Sequence, residues 1–342
     1  MNNMTIKERV NSLVALGRQM DDLMSPEWMT VLQKAEIENP WFTKNNIIKA
    51  LTAIRDQYLN QKNLERMIEK YHLDDHIVTK KIGLVLAGNI PLVGFHDVMC
   101  CYLTGHHCQI KYSDKDTVLM SYVIHMLVNI NPNSKPYFSE VQKLKDYDAA
   151  IATGSNSTAT HFKYYFGHVP HIIRQNKNSI AVLTGDETNY ELQNLGEDVF
   201  SFFGLGCRNV SKVLLPRGYD ISKLFVAFEV YADIIHHNKY KNNYDYNVAL
   251  NLLNKEPFLQ NDLLIIKEAS PILSRIGSLH YEYYDEISEV VEWIKNHANE
   301  IQCIVSRDVL PGIDTVSFGN AQCPDIDTFA DGVDTIQFLL SL

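Results

Sequence analysis

Between Lys81 and Gly185, short apolar runs, most of them closed by glycine, alternate with segments of helical period. This alternation constrains the fold more than any other feature of the chain. KIGLVLAG (81–88) is followed by a helical stretch over 94–105, and HHCQIKYS (106–113) by DTVLMSYVIHMLVNI (116–130), with Asp116 placed as its N-cap. DAAIATG (148–154) precedes SNSTATHFKYYFG (155–167), and NSIAVLTG (178–185) precedes NYELQNLGEDVFSF (189–202). Runs this apolar suit strands covered on both faces, and a helix between successive strands supplies a parallel crossover. Residues 81–185 therefore read as a mostly parallel α/β sheet with helices on both faces.

The first 78 residues read as helical, with apolar positions recurring at helical spacing and Pro26 near a helix start. Beyond KVLLP (212–216), strand and helix signals alternate again through EISEVVEWIKNHA (286–298) and IQCIVS (301–306). The expected organisation is a cofactor-binding domain over 1–185, with a helical start 1–78 and an α/β core 79–185. A catalytic domain over 186–330 and a closing strand segment over 331–342 complete it. The boundary falls between 184 and 206.

The 342 residues carry a formal net charge of -10, which argues against a nucleic-acid partner, because phosphate binding needs a local excess of Lys and Arg. No run of 18 apolar residues is present, so no membrane span is expected. The first residues lack the layout of a signal peptide, which points to the cytoplasm. The six cysteines form no C-x-x-C unit, so reduced thiols rather than a disulfide framework or a metal site are expected.

Candidate chemistry collects after the apolar runs, where open parallel sheets bind ligands. Gly88-Asn89-Ile90-Pro91 is either a plain turn or a turn presenting the Asn89 amide to an oxyanion. Lys111 and Ser113 end the second run, where a lysine either reaches a ribose or phosphate or is simply solvated. Gly154-Ser155 either caps a helix or offers N–H groups to a pyrophosphate, and the full G-x-G-x-x-G fingerprint is absent. Gly204-Leu205-Gly206-Cys207-Arg208 is glycine-rich before a thiol. Cys207 is then a nucleophile that Arg208 could assist, or a small core residue. His161 reads as a surface or packing histidine before it reads as a base.

Taken together, KIGLVLAGNIPLVG, IATGSNSTATHFKYYFG and FFGLGCRNVSKVLLP resemble the acyl-CoA reductases related to the fatty-acid reductase subunit of bacterial bioluminescence. That family lies within the aldehyde dehydrogenase superfamily, and the resemblance covers roughly residues 80 to 342. It implies an aldehyde-dehydrogenase-like α/β fold of two α/β domains. It implies Cys207 as the nucleophile and Asn89 as an oxyanion donor. It implies Lys111 and Ser113 at the adenosine ribose, with Tyr112 where the superfamily has Pro. Gly154 and Ser155 would then lie at the pyrophosphate, and Glu268 would bind the nicotinamide ribose. The implied reaction is reduction of an acyl-CoA thioester to an aldehyde through a thioacyl-cysteine. NADPH is the implied cofactor, with NADH as the alternative, and a homo-oligomer is expected.

One departure shapes the mechanism. Aldehyde-oxidising members carry a Glu upstream of the cysteine, in a Glu-Leu-Gly-Gly context, to activate water. HIIRQNKNSIAVLTG has no Glu, although Glu187 and Glu191 follow it as alternative bases. The competing readings are an aldehyde dehydrogenase yielding acid or acyl phosphate, and a non-catalytic scaffold subunit.

Overall fold

The structure is a computed structural model that describes residues 4–154 and 156–342. The chain divides into two compact units, Met1–Asn176 with Pro324–Leu342, and Lys177–Cys323.

The first unit opens with four helices: α1 (Ile6–Gln19), α2 (Pro26–Glu38), α3 (Lys44–Ala53) and α4 (Gln61–Tyr71). Local chemistry starts them. The Thr5 hydroxyl accepts from the Glu8 N–H while the Glu8 carboxylate accepts from the Thr5 N–H at 2.7 Å, a capping box. Pro26 is the first residue of α2, behind the Ser25 cap. There follow β1 (Lys81–Val85), α5 (Phe95–Leu103), β2 (His107–Lys111), α6 (Thr117–Ile130), β3 (Phe138–Glu140), β4 (Ala149–Thr153), α7 (Asn156–Phe166) and β5 (His171–Arg174). The five strands pair in the order β3-β2-β1-β4-β5, all parallel. Central β1 buries Ile82, Gly83 and Leu84 in succession, as a strand covered on both faces must. At Gly83 an added Cβ would stand 2.8 Å from a Leu144 methyl, so the leucine packs directly over the bare backbone.

The second unit holds β6 (Asn178–Val182), α8 (Asn189–Phe200), β7 (Val210–Pro216), α9 (Ser222–Phe228), α10 (Asn238–Asn254), β8 (Leu259–Gln260), β9 (Ile265–Glu268), β10 (Ser278–Tyr284), α11 (Ile287–Asn296) and β11 (Ile301–Ser306). The sheet order is β11-β6-β7-β10-β9-β8, parallel except at the β8 edge. Lys212 on β7 is wholly buried. It pairs with Glu282, donates to the carbonyls of Ala269 (3.0 Å) and Ser270 (2.6 Å), and lies 5.0 Å from the centre of the Trp293 ring. Burial lowers its pKa against the opposing pull of Glu282.

Two expectations about organisation change. The strand at 178–182 pairs with β7 and β11 rather than with β5, so it starts the second unit instead of ending the first. The closing segment is not a strand: the chain returns to the first unit and ends in α12 (Thr335–Leu340), whose Ile336 and Leu339 are buried. Asp334 caps it, its carboxylate accepting from the Gln337 N–H at 2.9 Å. No helix among the described residues is long and apolar enough to cross a membrane.

The returning tail is fastened by a buried cation. Arg174, at the end of β5, donates to Asp97 of α5 (2.7 Å), to the Thr335 hydroxyl (2.8 Å) and to the Ala330 carbonyl (2.5 Å). Removing one member of such a pair strands the other charge in a dry site. Arg174→Ala is therefore expected to lower unfolding free energy by about 3 kcal/mol. Guanidinium denaturation followed by circular dichroism measures it, and a loss below about 1 kcal/mol would contradict the account.

Candidate active site

In the first unit, strand order runs outward from β1 to β2 and β3 and then resumes at β4 on the other side of β1. The carboxyl ends of β1 and β4 thus flank a topological switch point, the usual ligand crevice of such a sheet. Asn89 follows β1, Lys111 and Ser113 end and follow β2, and Gly154 follows β4. The structure brings these four to the ends of three adjacent strands. Ser155 lies outside the described residues.

The packing at these ends is close. An added Cβ at Gly88 would meet the Ser113 hydroxyl at 2.6 Å, so the turn after β1 rests against the turn after β2. At Gly154 it would meet the Phe162 ring at 2.9 Å, which lets α7 start tight against β4. Lys111 is exposed, and Asn89 is half-buried.

Asp116 does more here than its sequence position suggests. It precedes α6 without making a side-chain cap bond. Its carboxyl instead reaches back and accepts from the Leu92 N–H at 2.7 Å. Leu92 holds a left-handed φ of 56°, and it lies three residues beyond Asn89. Asp116 thereby fastens the Asn89 turn in a conformation that a β-carbon resists. Burial pushes the Asp116 carboxyl up to about 8, opposed by the hydrogen bond from the Leu92 backbone.

In the second unit, Cys207 lies in the loop that enters β7. Three left-handed residues precede it, Phe202 (φ 51°), Phe203 (φ 59°) and Gly204 (φ 76°). Two of them carry side chains, so the loop stores strain that its surroundings must hold. Asn209 supplies the fastening: its Oδ1 accepts from the Gly206 N–H (2.8 Å), and its Nδ2 donates to the carbonyls of Asp198 (3.0 Å) and Ser201 (2.8 Å). The Ser179 hydroxyl donates to the Cys207 carbonyl at 3.1 Å. Cys207 is partly exposed, whereas Cys100, Cys101, Cys108 and Cys303 are buried and Cys323 is exposed in the segment after β11.

Arg208 is turned toward a second thiol. Burial raises Cys303 to about 11, and the Arg208 charge and its hydrogen bond to that thiol oppose the rise. Cys100 and Cys101 are raised well above the ordinary thiol range, by burial first, and behave as core residues.

Glu187 and Glu191 are both engaged elsewhere. Glu187 closes the turn after β6, accepting from the N–H groups of Thr184 (2.5 Å) and Gly185 (3.0 Å). Glu191 forms a capping box with Thr188 at the start of α8. His161 is exposed on α7.

Glu268 lies in the second unit. It ends β9 and lines a cleft of about 310 Å3 with Arg217, Tyr284 and Glu289, at the carboxyl end of the second sheet. Cys207 precedes the amino end of β7, beside Ser179 at the start of β6. In register Glu268 stands beside Tyr281 and Tyr281 beside Val213, three residues into β7.

Sequence reasoning missed Asn209, Ser179 and the reach of Asp116. Asn209 had a signal, since it stands two residues past Cys207 at a loop end, where Asn side chains bond local backbone. Among the described residues, no group of three His, Cys, Asp or Glu is placed to hold a metal ion.

No family model and no curated protein matches the chain. Solved structures do. Aldehyde dehydrogenase 21 from Physcomitrella patens, in complex with the reaction product succinate, superposes with a TM-score of 0.69 at 12% identity, over 99% of this chain and 84% of that one. A Mycobacterium tuberculosis aldehyde dehydrogenase complexed with NAD+ gives 0.66 at 12% identity, over 92% and 77%. A mutant of Pseudomonas syringae aldehyde dehydrogenase C, with NAD+ and octanal, gives 0.65 at 11% identity, over 90% and 73%. The fold is therefore that of the aldehyde dehydrogenases.

Two outcomes test the site as described. Iodoacetamide on the folded chain is expected to label Cys207 and Cys323 well before the four buried cysteines, as read by peptide mass spectrometry. Faster labelling of Cys303 than of Cys207 would refute the loop geometry. For Asp116 the folded pKa exceeds the unfolded one, so its contribution to stability is full below about 4 and is lost as pH rises toward 8. The melting temperature of Asp116→Asn should therefore gain on wild type between pH 5 and pH 8, and an unchanged difference would contradict the burial.

Proposed function

We propose that this chain is an NAD(P)H-dependent acyl-CoA reductase that forms aldehyde through a thioester on Cys207. The observation that carries the proposal is the Cys207 loop: a partly exposed thiol after three left-handed residues, held by the Asn209 carboxamide. Backbone strain kept in place by side-chain hydrogen bonds beside a thiol suits a preorganised nucleophile better than a packing residue.

In this reading the Cys207 thiolate attacks the acyl carbonyl, and the acyl group moves to its sulfur as the CoA thiolate leaves. The role proposed for Asn89 is donation of its side-chain N–H to the oxyanion. The nicotinamide, when bound, supplies the hydride that turns the thioester into aldehyde. The crevice at the ends of β1, β2 and β4 suits a dinucleotide, with exposed Lys111 at the adenosine ribose and Gly154 at the start of α7. Solved structures with NAD+ on this fold support the cofactor class, and NADPH is proposed over NADH because of Lys111. The role proposed for Glu268 is contact with the nicotinamide ribose.

Reduction is favoured over hydrolysis by the state of the carboxylates. Residues 175–177 after β5, Gln-Asn-Lys, offer no base, and Glu187 and Glu191 are committed to a turn and a helix cap. A thioester on Cys207 then meets no positioned water-activating group among these residues, which suits hydride transfer.

Incubation with an acyl-CoA in the absence of reduced cofactor should add the acyl mass to the Cys207 peptide. Cys207→Ala should show no adduct and no aldehyde, while binding NADPH nearly as tightly as wild type. Acylation of the variant, or release of free acid or acyl phosphate by the wild type, would overturn the proposal.

A further inference from the structure

A second cavity in the Lys177–Cys323 unit, of about 260 Å3, carries chemistry that the proposed reaction does not use. It lies between α10 and the strands β9 and β10, and Lys267, Arg275, His280 and Glu256 line it. His280 and Lys267 are register partners on β10 and β9, so their side chains share one face of the sheet.

Two buried amides aim the cations. Asn247 and Asn251 lie one turn apart on α10, 3% and 8% exposed. Each spends its NH2 on a backbone carbonyl: Asn247 donates to Ile276 and Asn251 to Asn247, both at 2.9 Å. Their amide oxygens are thereby turned to the cations, Asn247 accepting from Arg275 at 3.4 Å and Asn251 from Lys267 at 3.3 Å. A solvated surface lysine and arginine need no such positioning.

The charges are unequal. Lys267 pairs with Glu256, which the Lys267 hydrogen bond holds below the usual carboxylate range. Arg275 makes no ion pair among the described residues. His280 bonds the Pro271 carbonyl through Nδ1 at 2.9 Å, which assigns the proton to Nδ1 and leaves Nε2 as the other ring position. Burial first, then Lys267 and Lys212, hold His280 below its ordinary range. The cavity thus has one guanidinium outside any ion pair, a paired ammonium and an imidazole able to take a proton. A dianion would be met by all three.

We propose that this cavity binds a phosphate monoester, with Arg275 as its main anchor and Lys267 and His280 completing the oxygen contacts. Arg275 and Ser278, at the entry to β10, also line a small cleft with Phe203 and Gly204 of the loop before Cys207. Of the ligands in the proposed reaction, CoA ends in a 3′-phosphate monoester and NADPH carries one at the 2′ position. The choice of these two probes rests on the function proposed above.

Calorimetric titration of the full chain with CoA, dephospho-CoA, NADPH and NADH separates the sources. CoA is expected to bind about tenfold more tightly than dephospho-CoA, and Arg275→Gln to erase that difference. Glu256→Gln, which removes the competing carboxylate, should tighten CoA binding several-fold. If Arg275→Gln instead erases a preference for NADPH over NADH, the phosphate monoester site stands and its source is the nucleotide. If it changes neither pair, in a variant whose circular dichroism matches wild type, the proposal falls. Acylation of wild-type Cys207 by a phosphate-free thioester of N-acetylcysteamine reports on the reaction separately. Its absence would sink the proposed function and leave the phosphate result standing.

Discussion

One carboxamide, that of Asn209, sets the geometry on which the second unit's chemistry rests. It gathers the carbonyls of Asp198 and Ser201 and the N–H of Gly206 around a single side chain. The chain leaves α8, crosses three left-handed residues and enters β7 within ten residues. So sharp a path leaves backbone groups unpaired unless something local satisfies them. Asn is suited to the task because it carries both donors and an acceptor in one plane. An aspartate could accept from Gly206 but could not donate to the carbonyls.

The first unit solves a similar problem with a different group. Its turn after β1 is held from the next crossover by Asp116, a carboxyl that burial keeps largely protonated near neutrality. In both units a buried polar side chain from a later element fixes a turn at the end of a strand or helix. Parallel sheets make this necessary, since every crossover returns the chain to the same edge and the ends lie crowded together. The same crowding explains the glycines at 88 and 154, where neighbouring side chains leave no room for a β-carbon.

What was legible in the sequence follows from how far each signal reaches. β1, β2, β4, β6 and β7 announce themselves because strands buried on both faces must be continuously apolar. β3, with three residues, and β5, with His171 and Arg174 at its ends, carry too little pattern to be seen. Which sheet a strand joins is a matter of pairing between distant segments, so β6 could be found but not assigned. TIQFLL is six residues long, too short to separate a helical period from a strand, and only the Asp334 cap decides it. For the site, Asn89, Lys111, Ser113, Gly154 and Cys207 are local motifs at element ends and were readable as such. The reach of Asp116 and the anchoring of Arg275 and Lys267 by α10 are tertiary, and no spacing in the chain encodes them.

The left-handed Phe203 ties the loop before Cys207 to α10. A glycine there would relieve the torsional cost, yet the phenyl ring stacks on His237 at 4.2 Å and lies 6.1 Å from Tyr240, at the start of α10. The loop before Cys207 is thus keyed to the first turn of the helix whose later turns hold Arg275 and Lys267. That helix of 17 residues extends about 25 Å. The strained loop before Cys207 and the cations of the cavity thus share one helix as their support.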